Sequence, residues 1–210
     1  MTSTTGTGSR GSYAKSAKVR ESIVHAAFQT FAMEGYHNGS LRDVAAKANM
    51  SEAGLLHHFP SKADLLIAVL RHRDDEARAT FGFDPETGRQ ALGELVALAR
   101  FNTTIAGVVE LFCVLAAEST SPRHPAHQYF QDRYVQVRGM ISRALTVMHQ
   151  RGELRDGVDV DIAASRAVAL WDGLQIQWLY DREVVDTASE VRLFFTGLLR
   201  EGVELSPPTV

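Results

Sequence analysis

The chain has 210 residues, 45% of them hydrophobic and 22% charged, enough for one ordinary domain or two small ones with a real core. A single cysteine, Cys113, excludes an internally disulfide-stapled scaffold; no apolar run reaches the roughly 18 residues of a membrane span, and the polar N-terminus lacks a signal-peptide core. A cytoplasmic globular protein with no membrane partner is therefore expected. The formal net charge of -3 hides an asymmetry. Residues 1–73 hold nine Lys and Arg against five acids, whereas residues 74–210 hold 13 against 20, so a small basic module precedes an acidic body.

Residues 1–14 are mostly Thr, Ser and Gly, with little to bury, and are expected to form a tail without structure. A helix is predicted to start between Lys15 and Arg20, with Ile23, Ala27 and Phe31 as its apolar stripe, and to end at Gly35. Ser40 followed by Asp43, and Ser61 followed by Asp64, read as capping boxes with Asp in the place of the usual Glu. Between them lie two short helices: one of about two turns carrying Leu41, Val44, Ala45 and Ala48, then Ala53 to His58 with Leu55 and Phe59 inward. Asn49 suits the left-handed turn that joins them, Ser51 can cap the second, and Pro60 stops it. The helix after Ser61 runs toward Thr80 through Leu65, Leu66, Val69 and Leu70.

The remainder also reads as helical: residues 89–106, a very apolar helix over 108–118, a long one over 126–150, one capped by Asp159 or Asp161 and reaching about Tyr180, and a last one over 185–202. No segment alternates as a strand does. The fold class expected is all-α, with about nine helices. Its parts are a tail (1–14), a three-helix DNA-binding domain (15–62), a connecting helix (63–80) and a larger helical regulatory and dimerisation domain (81–205).

Two short capped helices joined by a tight turn make a helix-turn-helix unit, whose physical use is to lay its second helix into a DNA major groove. Spacing alone also permits an ordinary helical hairpin. The stretch from Arg20 to about Asp74 resembles the N-terminal domain of the TetR family of bacterial transcriptional regulators. The matching pieces are Ile23 with Ala26-Ala27 and Phe31, Gly35, Val44-Ala45, Ala48-Asn49-Met50-Ser51, and above all Leu55-Leu56-His57-His58-Phe59-Pro60-Ser61-Lys62 followed by Leu65-Leu66.

The resemblance implies a double-stranded DNA operator as partner. It places Ser40 and Arg42 on a phosphate or base edge, Ser51, Glu52, Ala53 and Gly54 on the exposed first turn of the recognition helix, His57 toward the DNA backbone and Lys62 on a phosphate, with Lys15 and Lys18 reaching from the arm. Leu56 stands where the family often has a phosphate-touching tyrosine, and Asn49 where glycine is usual. Glu52 accepts from cytosine N4 but repels phosphate.

The family plan also implies a repressor that acts as a homodimer through its last two helices and is released by a small-molecule effector. Residues 161–200 suit pairing: Ala163, Ala164, Ala167, Ala169 and Gly173 permit close approach, and the last helix carries more apolar surface than one core-facing side requires. For the effector, Phe101, Phe112, Phe130, Tyr134, Trp171 and Trp178 supply aromatic walls, with Gln175 and Glu118 as polar groups. Glu110 and Asp172 are further acids inside apolar stretches, where an unpaired carboxylate is costly. The same residues also fit an ordinary core and interface.

No cofactor is expected. His124 and His127 beside Cys113 or Glu118 do not form a tight ligand cluster, and neither a nucleophile elbow nor a Gly-rich phosphate loop occurs, so the chain is not expected to be an enzyme. A metal-responsive or corepressor-dependent regulator, and a helical interaction protein or enzyme without a DNA role, stay open as alternatives.

Overall fold

The computed structural model describes residues 8–207, with side chains from Lys15 onward. It holds nine α-helices among the described residues: α1 Gly8–Asn38, α2 Leu41–Lys47, α3 Glu52–His58, α4 Lys62–Phe81, α5 Arg89–Asn102, α6 Ala106–Glu118, α7 His127–Gln150, α8 Val160–Tyr180 and α9 Thr187–Thr196. A 3-10 turn, Pro85–Thr87, precedes α5. The chain divides into two compact units, residues up to His72 and residues from Arg73 on, so the division falls inside α4 rather than at its end.

In the first unit, Ile23, Ala27 and Phe31 of α1 are fully buried, as are Val44 of α2, Leu55 of α3 and Leu65, Leu66, Val69 and Leu70 of α4. Each large side chain so buried contributes roughly 1.5–3 kcal/mol of transfer free energy. Helix geometry breaks at Gly35, whose φ of 76° and ψ of 164° belong to a region that only glycine enters readily. The helix begins earlier than its composition suggests. Residues 8–14, expected in the irregular tail, extend α1, since each residue added to an existing helix gains a bond without a new nucleation cost. Residues 1–7 of that tail lie outside the described residues.

In the second unit α7 packs on α8 and α5 on α9, around a core that includes Leu92, Leu145, Met148 and Phe195. Asp159 caps α8 by accepting from the amides of Asp161 and Ile162, both at 3.0 Å. The last helix is shorter than the 185–202 expected. Asp186 caps its start, and beyond Thr196 the backbone turns into an isolated antiparallel bridge between Leu154 and Leu199. There the Arg155 amide donates to the Leu198 carbonyl at 3.0 Å and the Arg200 amide to the Glu153 carbonyl at 2.9 Å, claiming groups a continued helix would have used. The C-terminal segment then runs close over α5, where a Cβ on Gly93 would sit 2.4 Å from the Ser206 carbonyl oxygen. On α8, Ala163, Ala164 and Ala167, which the sequence suggests for a pairing surface, lie in this unit's own core instead; the small residues on the outer side are Ala169 and Gly173. No single helix among the described residues is long and apolar enough to cross a membrane.

Candidate functional site

The first site is built by α2, α3 and the turn between them. Ser40 caps α2, its Oγ accepting from the Asp43 amide at 3.1 Å while its hydroxyl donates to the Asp43 carboxylate. After Ala48 the chain reverses through Asn49 at φ 55°. The Met50 amide donates to the Ala45 carbonyl at 2.9 Å and the Asn49 amide to Ala46 at 3.1 Å, a Schellman closure. Asn does here what glycine does more often. Ser51 then caps α3 through the Gly54 amide at 3.1 Å. Both caps tie a side chain to the first turn of its helix, so α2 and α3 hold their form although each has only seven residues.

With Val44, Ala45 and Leu55 turned inward, Arg42, Ser51, Glu52, Ala53 and His57 are exposed, Ser40 and Gly54 are half-buried, and Lys15 and Lys18 are exposed on α1. Lys62 differs. Its ammonium donates to the His37 carbonyl at 3.1 Å and lies 4.7 Å from the Tyr36 ring centre, and the loss of hydration lowers its pKa. Lys62 is thus engaged with the turn that follows Gly35. Two further cations belong to this face and its support. Lys47 is exposed at the end of α2, and Arg20 stacks 4.1 Å over Phe59 while donating to the His58 carbonyl, which fixes the end of α3. Positive charge at a helix end on a motif face was the available signal for Lys47.

The second site is a cavity of about 300 Å³ within the second unit. Of the residues expected around a ligand, Phe112, Phe130, Tyr134, Trp171 and Gln175 line it. Phe101, Glu118 and Trp178 do not. Phe101 is 41% exposed and stacks on Phe81 at 5.6 Å, Glu118 lies 3.8 Å from His124, and Trp178 is buried at a narrow seam nearby. A smaller space of about 130 Å³, walled mostly by apolar side chains, shares Asp74, Leu98, Arg133, Trp171 and Asp172 with the first, so the two adjoin.

Of the cavity's polar groups, Tyr134, Gln175 and the acid Asp172 are legible in the sequence, whereas Arg73, Asp74, Asn102 and Arg133 come together from α4, α5 and α7, whose approach no local pattern announces. Arg133 Nε lies 3.1 Å from Asp74 Oδ1, and the Tyr129 hydroxyl donates to Asp74 Oδ2 at 2.6 Å. Burial opposes the charge of Arg133, but Asp74 and Tyr129 outweigh it and raise its pKa. Arg73 donates to the Asn102 amide oxygen at 2.7 Å, and burial lowers its pKa. Tyr134 donates to Asp172 Oδ2 at 2.8 Å; burial raises the pKa of both. Burial also pushes the Cys113 thiol up to about 11, so it lines the cavity as a neutral group. Among the described residues no group of three or more His, Cys, Asp or Glu is placed to hold a metal ion.

Two family profiles match the chain: "Bacterial regulatory proteins, tetR family" over residues 23–69, and "BetI-type transcriptional repressor, C-terminal" over residues 85–201. The HTH-type transcriptional regulator ArpR of Pseudomonas putida is 30% identical over 203 residues, covering 90% of this chain and 93% of that protein. RutR of Escherichia coli K12 is 44% identical over 68 residues, 32% of this chain and 30% of RutR, so that likeness spans under a third of either protein. A solved transcriptional regulator from Saccharomonospora viridis, in complex with choline, superposes with a TM-score of 0.69 at 27% identity, covering 88% of this chain and all of that one.

Proposed function

This chain belongs to the TetR family of bacterial transcriptional regulators, and from that premise we propose that it is a repressor that grips a palindromic operator as a homodimer and lets go when a small molecule fills the cavity of its second unit. As a member of that family it is a DNA-binding regulator of transcription and not an enzyme. The observation that carries the operator reading is the exposed face of α2 and α3. Arg42, Lys47 and the first turn of α3 point outward while the opposite sides of both helices fill the core. Such a face admits one helix to a major groove, and a two-fold pair reads two half-sites about 34–36 Å apart or multiples of that.

Pairing is supported by a stripe on α8 that faces away from the core: Ile162, Ala169, Gly173, Ile176 and Tyr180, with Leu193 of α9 also exposed. An effector is supported by the cavity itself and by the choline complex of the Saccharomonospora viridis relative. Release requires the effector to favour one state over another by roughly 1–3 kcal/mol, which changes operator affinity about 5–150-fold. Helix α4 is the element to carry that bias, since it contains both Lys62 and the cavity residues Arg73 and Asp74.

Selection of bound fragments from a randomised duplex library, at a stated salt concentration, tests this reading. A two-fold symmetric motif with regular half-site spacing is expected. No enrichment even at low salt would sink it.

A further inference from the structure

The cavity of about 300 Å³ holds two arginines and two aspartates, but they do not all neutralise one another. Arg133 is matched to Asp74, whose second oxygen is taken by Tyr129. That leaves Arg73 and Asp172. Arg73 donates to a neutral amide, Asn102, and among the described residues no carboxylate lies within ion-pair distance of it. Asp172 accepts from a neutral hydroxyl, Tyr134, and among the described residues no cation lies within ion-pair distance of it. Each charge is thus oriented by a neutral hydrogen-bond partner and feels its opposite charges, Asp74 and Glu76 for Arg73 and Arg133 for Asp172, without a direct ion pair. Phe112, Phe130 and Trp171 line the same cavity as apolar walls. Keeping such charges out of water is costly unless a partner is supplied.

We propose that the cavity binds a dipolar small molecule, with an acidic group on Arg73 and Asn102, an ammonium group on Asp172 and Tyr134, and an apolar body against the aromatic walls. The proposal rests on the effector-responsive reading above and names the chemistry of that effector. A ligand with a cation alone leaves Arg73 without a direct ion pair, and one with an anion alone leaves Asp172 without one. A cavity of about 300 Å³ has room for a ligand of the size of a substituted benzene or a small amino acid.

The test is calorimetric titration of the full-length protein with four probes of one shape: 4-(aminomethyl)benzoate, 4-methylbenzoate, 4-methylbenzylammonium and 4-methylbenzyl alcohol. The first is expected to bind at least about tenfold tighter than any other, the gain of one charge-assisted contact. Arg73→Gln should reduce it to the level of the ammonium probe, and Asp172→Asn to that of the benzoate. Arg73→Lys, which keeps the charge, should keep a preference for the dipolar probe and so separates a lost contact from a lost fold. Equal binding of the dipolar probe and any other, or binding of all four weaker than about 1 mM, overturns the proposal. Operator selection is read without any probe. A protein that enriches an operator yet shows no probe preference loses the ligand class alone. One that prefers the dipolar probe yet binds no duplex keeps it and loses the regulator reading.

Discussion

The family resemblance implies a phosphate or base edge for Arg42 and a phosphate for Lys62, and their surroundings separate them. Arg42 is exposed on α2, whereas Lys62 is held by the His37 carbonyl and the Tyr36 ring. Arg42→Ala should leave the thermal midpoint unchanged and lower the slope of log affinity against log salt by about 0.9, one phosphate contact on duplex DNA. Lys62→Ala should lower the midpoint as well, since an exposed cation–π contact contributes about 0.5–1 kcal/mol. Thermal melts and salt titrations of the two variants check this; identical midpoints would mean that the Lys62 contacts hold nothing. Asp172 makes a different prediction. Its folded-state pKa is raised by burial, so the fold favours its proton; that advantage is full below the ordinary aspartate value and disappears as pH climbs through the raised one. Asp172→Asn, which still accepts from Tyr134, should therefore melt higher than the parent at neutral pH, with the gain shrinking on acidification. The variant that loses the ammonium site would be the more stable protein, as expected of a residue kept for binding.

At the scale of the element, what is local in the chain is legible in it. The caps at Ser40, Ser51 and Ser61 and the left-handed turn at Asn49 depend on neighbours within five residues, and each stands where its residue type predicts. Where an end is decided from afar, reading fails. Helix α9 stops at Thr196 because Leu199 bridges Leu154, 45 positions earlier, and no periodicity in 185–202 signals that. The start of α9 is local again. Asp186 accepts from the Ser189 amide at 3.0 Å and its hydroxyl at 2.6 Å, and these bonds hold its carboxyl below the usual range. A depressed carboxylate contributes stability above its unfolded pKa and loses it as pH falls through the folded one. Asp186→Ala should cost about 1 kcal/mol at neutral pH, the typical worth of an N-cap, and the gap to the parent should close in strong acid. Denaturant melts at several pH values read this directly, and a gap independent of pH would assign the loss to something other than the charged cap.

At the scale of the whole molecule, composition indicated a basic module and an acidic body, and small residues on α8 pointed to a pairing surface. The error lay in which of them serve it. A sequence shows that Ala163, Ala164, Ala167, Ala169 and Gly173 are small, but only the packing of other helices against α8 decides that the first three face inward. The same reasoning explains why the aromatic cavity residues, Gln175 and Asp172 are legible and Arg73, Asn102 and Arg133 are not: an aromatic or an acid in an apolar stripe announces burial, whereas a polar group at a helix surface looks solvated until another helix covers it. The outer stripe carries the last prediction. Nothing lies within 4 Å of a Cβ placed on Gly173, and Ile176, 46% exposed, is one turn away. In a two-fold pair each residue near the axis meets its own copy or a neighbour of it, so one substitution acts twice. Gly173→Glu should therefore set two carboxylates into one apolar contact and divide the dimer, while leaving the fold of each chain intact, because a Cβ at this position has open space around it. Sedimentation should show a halved mass with an unchanged circular dichroism spectrum, and operator affinity should fall with the loss of the second half-site. A variant that stays dimeric would remove α8 from the pairing surface.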